Sequence, residues 1–339
     1  MTWLWHYYDN PEACKPSSAL RINWPSHSGE VTWPGAGRPF WGREWSNRTV
    51  LVEGDSINGE LYGALVCNLR AHGFAVMEAD MHVRRDRSMR DQASAESRDC
   101  ATRPSPHPSG PRVTAFYERV CAISSAAADR DWSYYHHSEG VYIPETDTLL
   151  VHRGHSKYEP GIAVSLSLGD VVVLNYGLHY GAAEPAFQAP PDAFRDGISS
   201  LLQLTSTWPG QLLLKEVSAQ HFPDTGAYAS TAQKSRADCV CETMDNLTRT
   251  TNWVAQQNHI LRSLARGHPV RTTLLPFYEA TARSAGMALG EHVDRDGRRR
   301  CDCTHSCYDA GFWNEVFDSW GPLVFPRLLR RPRGQHARR

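Results

Sequence analysis

No stretch of this 339-residue chain approaches the roughly 18 consecutive apolar residues of a membrane span, so no transmembrane helix is expected. Met1 is not followed by the basic-then-apolar pattern of a secretory signal. Either the chain is not exported, or its export signal lies outside this sequence. A net charge is missing too: 36 basic residues meet 37 acidic ones, leaving −1. Without a field of one sign, neither nucleic acid nor an anionic membrane surface is an expected partner. Internal repeats are absent, and no low-complexity tract is long enough to matter. What remains is 41% hydrophobic and 22% charged, enough for the core of one large α/β domain or two small ones.

Nine cysteines are spread along the chain, at Cys14, Cys67, Cys100, Cys121, Cys239, Cys241, Cys301, Cys303 and Cys307. That spread fits cross-bracing disulfides in an oxidising compartment better than a compact redox motif. An odd count leaves at least one thiol over if the rest pair. Two acceptor sequons, Asn47-Arg48-Thr49 and Asn246-Leu247-Thr248, point the same way, although chance alone supplies one or two.

Residues 1–46, rich in Trp, Pro and Gly without a period, read as an irregular arm packed on the main domain. The main domain is expected over 47–326, and the basic tail 327–339 reads as a solvated terminus. Apolar runs predict strands at Thr49–Val52, Phe74–Met77, Thr148–Val151, Asp170–Asn175, Gln211–Val217 and Val270–Leu275. Helices are expected over Asn58–His72, Asp192–Thr205 and Asn246–Ala265, and Arg84–Pro111 as a surface insertion. Strands separated by helices imply an α/β fold with a mostly parallel sheet and right-handed crossovers.

Four stretches carry chemistry. The first strand runs into Gly54-Asp55-Ser56-Ile57, which aims a serine out of the sheet's carboxyl edge beside the first unsatisfied N–H groups of a helix. Near the other end, Asp302-Cys303-Thr304-His305 on a helical turn would present a carboxylate and an imidazole together. A serine hydroxyl needs such a base, and the base needs a carboxylate to fix its tautomer. Third, Asn175-Tyr176-Gly177-Leu178-His179 closes the clearest strand, where an asparagine amide can donate to an oxyanion. Fourth, Ser218-Ala219-Gln220-His221-Phe222 offers His221 as a rival base. Two metal readings stand beside these: zinc on Cys301, Cys303, His305 and Cys307, with steps tighter than usual, and a metal-dependent enzyme built on His152, His155 and that C-terminal Cys/His cluster.

In this order the four stretches resemble the trichome-birefringence-like proteins, the PC-esterase branch of the GDSL/SGNH superfamily, whose members O-acetylate cell-wall polysaccharides. The resemblance covers about residues 49–317 and includes Trp313-Asn314 after the histidine. Departures mark a distant member. Ile57-Asn58-Gly59-Glu60 lacks the family's arginine, Leu178 is an extra residue before His179, and Ala219 replaces a proline.

The resemblance implies an SGNH-hydrolase-like three-layer αβα fold. It makes Ser56 the nucleophile, His305 the base and Asp302 its orienter. Ser56, Asn175 and Gly154 would form the oxyanion hole, with Asp55, Gly177, His179 and His221 near substrate. The function implied is O-acyl transfer, with acetyl the expected group, to a polysaccharide or glycan through an acyl-enzyme. The alternatives are a carbohydrate acylesterase or an inactive glycan-binding homologue. No cofactor or metal is expected. An acetyl ester or acetyl-CoA would be the acyl donor and a carbohydrate the acceptor, in the Golgi lumen or outside the cell. Trp132, Tyr134, Tyr135 and Trp253 could stack on sugar or pack in the core.

Overall fold

A computed structural model describes residues 44–79, 112–113, 116, 136–154, 166, 168–178, 191–222, 239–242, 253–268, 272–293, 299–306 and 309–325. The arm before residue 44, the whole of the 84–111 insertion and the tail 327–339 lie outside these residues.

The first strand, β1 (Thr49–Gly54), is buried along its whole length, as its apolar run requires of a strand covered on both faces. It is followed by α1 (Ser56–Ala71), β2 (Met77–Ala79), β3 (His136–Ile143), β4 (Thr148–Gly154) and β5 (Val171–Asn175). Then come α2 (Pro191–Thr205), β6 (Gln211–Lys215), α3 (Trp253–Arg266), β7 (Thr272–Leu275) and α4 (Tyr278–Ala282). A hairpin of β8 (Ala288–Val293) and β9 (Arg299–Ser306) and the helix α5 (Ala310–Val324) end the described chain.

Among the described residues, seven strands form one sheet in the order β2-β3-β4-β1-β5-β6-β7. The five from β4 to β7 are mutually parallel, and only the β2–β3 and β3–β4 pairs are antiparallel. The chain steps from β1 to β4 on one side and then to β5 on the other, which makes the exit of β1 the topological switch point. Right-handed crossovers in opposite directions place their helices on opposite faces. Accordingly α1 packs on β1, β4 and α5, while α2 packs on α3. This is the mostly parallel α/β sheet that the alternation implied.

The core lies on both sheet faces. Leu61, Leu65 and Leu69 of α1 and Phe312, Val316, Phe317 and Trp320 of α5 belong to one buried cluster with the strand valines and leucines. Asn68 of α1 donates to the Asn314 side-chain oxygen (3.0 Å), and Trp313 stacks on Phe277. Trp45, at the edge of the described chain, is buried, and its carbonyl accepts the Thr148 hydroxyl.

Several elements differ from expectation. The second strand begins at Met77 rather than Phe74, because residues 72–76 are used in leaving α1. The described part of the third expected helix starts at Trp253, with residues 246–252 outside the described set. The 302–305 segment is a strand of the β8–β9 hairpin, not a helical turn. No helix among the described residues is long and apolar enough to cross a membrane.

Candidate active site

The turn after β1 is built by a glycine that admits no substitute. Gly54 has φ +149°, and a Cβ there would lie 1.8 Å from the Asn175 carbonyl oxygen on the neighbouring strand. Asp55 then caps α1: its Oδ1 accepts the Ile57 N–H (3.1 Å), which satisfies one of the helix's orphan donors. Its Oδ2 accepts the Leu178 N–H (3.2 Å), and its own N–H donates to the Asn175 carbonyl (3.2 Å). The Asp55 carboxylate is therefore buried as a clasp between the exits of β1 and β5, rather than presented to substrate as expected.

Ser56, half-buried as the first residue of α1, meets the histidine from the far end of the chain. His305 Nε2 lies 2.6 Å from Ser56 Oγ, and His305 Nδ1 lies 2.7 Å from Asp302 Oδ2. In an even strand, residues three apart face opposite ways. Here Gly290 pairs with Asp302 and Ala288 with Ser306, so β9 carries two extra residues across that interval. Asp302 Oδ1 folds the bulge back on itself by accepting the Thr304 and His305 N–H groups, both at 2.9 Å. A bulge closed by an aspartate does here what the helical turn was expected to do.

Disulfides Cys239–Cys301 and Cys241–Cys303 clamp β9 on either side of Asp302. His221 is tied into the same clamp. Its N–H donates to the Cys303 carbonyl, its carbonyl accepts the Glu242 N–H, and Nδ1 lies 2.9 Å from the Glu242 carbonyl. Burial lowers its pKa. The rival base is a buried structural histidine. The four-ligand zinc reading meets a different use of its residues, since Cys301 and Cys303 are in disulfides and His305 faces Ser56; Cys307 is outside the described residues.

Asn175 and Gly154 flank Gly54 in register, one on each neighbouring strand. The Asn175 amide donates one hydrogen to the Lys215 carbonyl (2.8 Å), and its oxygen takes the Gly177 N–H (3.3 Å). Gly177 is fixed by crowding, because a Cβ would sit 2.0 Å from Val217 Cγ2. His152 is buried against Tyr62. His155, His179, Trp132, Tyr134 and Tyr135 lie outside the described residues, and Trp253 is half-buried at the start of α3.

Two charged residues escaped the sequence reading. Glu60, one turn along α1 from Ser56, is buried and accepts the Ser306 N–H on Oε1 (3.0 Å). Lys215, at the end of β6, is buried with Nζ donating to the Glu216 carbonyl and lying 4.3 Å from the Phe277 ring centre. A lysine closing the apolar run Leu212-Leu213-Leu214 at a strand's carboxyl end was the available signal. Glu216 beside it accepts the Phe277 and Tyr278 N–H groups and pairs with Arg262 at 2.6 Å.

These charges shape the site. Burial would lower the His305 imidazole, but Asp302 above all, then Glu60 and Asp55, raise it to about 9. Burial would raise Asp302, yet the His305 ring and the two N–H donors hold it well below the usual carboxylate range. Burial lifts Glu60 to about 7 against the opposing pull of His305, the Ser306 N–H and Lys215. Burial brings Lys215 down to about 8 against Asp55, Glu60 and Glu216. Chemically, the arrangement offers a hydroxyl with a proton acceptor, and an acceptor oriented by a carboxylate.

The chain matches no family model and no curated protein. Among solved structures it is similar to a variant of an acetyl-xylooligosaccharide esterase from Geobacillus stearothermophilus, at 10% identity over 82% of this chain and 94% of that one, with a TM-score of 0.37. It is similar also to a variant described as an acetyl xylan esterase from Geobacillus stearothermophilus, at 10% identity over 84% and 95% of the two chains, with a TM-score of 0.34.

Proposed function

We propose that this chain is a serine-dependent carbohydrate O-acyltransferase, with acetyl the expected group, working through an acyl-enzyme on Ser56. The observation that carries the reading is the continuous contact from Ser56 Oγ through His305 to Asp302 at 2.6 and 2.7 Å. Ser56 Oγ attacks the donor carbonyl and its proton passes to His305 Nε2. The oxyanion is held by the Ser56 N–H, the second amide hydrogen of Asn175 and the Gly154 N–H, all at the sheet's carboxyl edge. His305 returns the proton to the departing alcohol or thiol of an acetyl ester or acetyl-CoA. A sugar hydroxyl then gives its proton to His305 and attacks the acyl-enzyme; the Ser56 Oγ–acyl bond breaks, His305 Nε2 returns that proton to Ser56 Oγ, and the sugar ester leaves. Water in its place makes the same chain an acylesterase. No step calls for a metal or an organic cofactor. The disulfides around β9 support an oxidising location, the Golgi lumen or outside the cell.

A fluorophosphonate probe tests the nucleophile. Labelling of Ser56 in the folded protein, lost in Ser56→Ala, is expected; equal labelling of that variant would overturn the reading. Incubation with an acyl donor and a panel of oligosaccharides, read by mass, then separates transfer from hydrolysis. Transfer is expected to fall at least about 10⁴-fold in Ser56→Ala. Oligosaccharide binding without labelling or turnover would make the chain a glycan-binding homologue instead.

A further inference from the structure

Glu60 has no part in the reaction as written, yet its placement is specific. It stands four residues after Ser56, hence on the same face of α1 as the nucleophile. Its Oε1 accepts the N–H of Ser306, the residue directly after the base. A small cavity is lined by Ile57, Glu60, Ser218, His221, Thr304 and Ser306 among others. The carboxyl group is thus enclosed by protein rather than bathed by solvent. The charged groups that act on it are His305 and Asp302 of β9 and Lys215 of β6. Asp55 at the cap of α1 and Glu216 beyond β6 act on Lys215 in turn, and His221 lines the same cavity.

We propose that Glu60 is a positioning residue for His305: it ties β9 to the nucleophile helix through the N–H of Ser306, next to the base, and brings a carboxyl to the face of α1 that carries Ser56. The proposal rests on the acyl-enzyme reading of Ser56. Two functions are combined in one side chain, and they separate by substitution. Glutamine keeps an oxygen for the Ser306 N–H but carries no charge. Alanine removes both. The lift that Glu60 exerts on His305 is a charge effect and disappears in both variants.

The test follows the His305 ring by NMR in full-length protein labelled with ¹³C-histidine, assigned with a His305→Asn variant, together with fluorophosphonate labelling rates over the same pH range. In Glu60→Gln the His305 midpoint, and the acid limb of labelling with it, should fall by roughly half to one pH unit. In Glu60→Ala the midpoint should fall equally and the alkaline labelling rate should drop about tenfold, a loss that glutamine rescues. An unchanged midpoint in Glu60→Gln overturns the charge role. A wild-type alkaline rate in Glu60→Ala overturns the tether. If Glu60→Ala does not fold, as a thermal melt would reveal, the Glu60→Gln midpoint alone decides. Failure of the wild type to label at Ser56 sinks the acyl-enzyme reading instead, and the ring titration still judges the coupling.

Discussion

At the scale of single residues the site turns on how His305 is held. Asp302 divides its two oxygens between tasks, with Oδ1 shaping the bulge and Oδ2 orienting the ring. Asp302→Asn should therefore lower kcat by about 10⁴-fold with a much smaller change in KM, because the wrong tautomer is then favoured. The pH dependence has a fixed sign. Only neutral His305 can accept the Ser56 proton, and its pKa is raised to about 9. Activity should climb as pH rises, with its acid limb well to the alkaline side of an ordinary imidazole. A kcat/KM profile with its limb near 6.5 would contradict this. That Ser56, Asp302 and His305 would meet was expected from the sequence, because a serine needs a base and a carboxylate to act in acyl transfer, and the structure brings the three into contact. Glu60 and Lys215 were not expected there. Nothing in the local sequence says that a helix glutamate and a strand-end lysine will be enclosed together, because that enclosure is made by β9, β6 and α1 meeting.

At the scale of elements, two backbones approach too closely for anything but glycine. Gly54→Ala drives a methyl into the Asn175 carbonyl at a φ of +149°, so the β1–β5 contact must open. The expected cost is roughly 3 kcal/mol, read as a fall in Tm of about 6 to 10 °C. The disulfide pair behaves differently. Each bond closes a sequence separation of 62 residues, worth about 4 kcal/mol by chain entropy. Yet the second bond closes nearly the same loop as the first, so it adds little entropy and chiefly fixes the register of β9. Replacing Cys239 and Cys301 by serine should cost only about 1 kcal/mol, while replacing all four cysteines should cost about 4 kcal/mol or more and abolish Ser56 labelling. Equal, additive losses in denaturant melts would disprove this.

The same elements explain what the sequence could and could not convey. The buried strands β1, β4, β5 and β6 announced themselves as apolar runs, since both faces are covered. The segment Arg299–Ser306 alternates only over Cys301 to Thr304, where the two buried cysteines are disulfide-bonded, and its ladder is bulged. Proximity of Asp302 and His305 was readable, but the backbone that produces it was not.

At the scale of the molecule, the sheet topology gathers the site. Gly54, Asn175 and Gly154 share one edge because β1 lies between strands entered in opposite directions, and the hairpin brings His305 to that edge from 249 residues away. The concentration of buried charge there sets stability against activity. His305 holds its proton more tightly folded, at about 9, than the ordinary 6.5. The folded state thus binds more protons, and this contribution is complete below about 6.5 and lost as pH rises toward 9. Lys215 works the other way, since its pKa is lowered from 10.5 to about 8, so stability recovers with pH above about 8. Between roughly pH 6.5 and 8 the His305 loss acts at up to about 1.4 kcal/mol per pH unit, joined up to about pH 7 by that of Glu60, whose pKa is raised from 4.5 to about 7. Wild-type Tm should fall across that interval while kcat/KM rises. In Asp302→Asn, which removes the main cause of the raised imidazole, the Tm profile should be flatter there even though the variant is less stable throughout. Parallel Tm profiles for the two proteins would show that the pair is not what opposes unfolding, and that the alkaline rise in activity has another source.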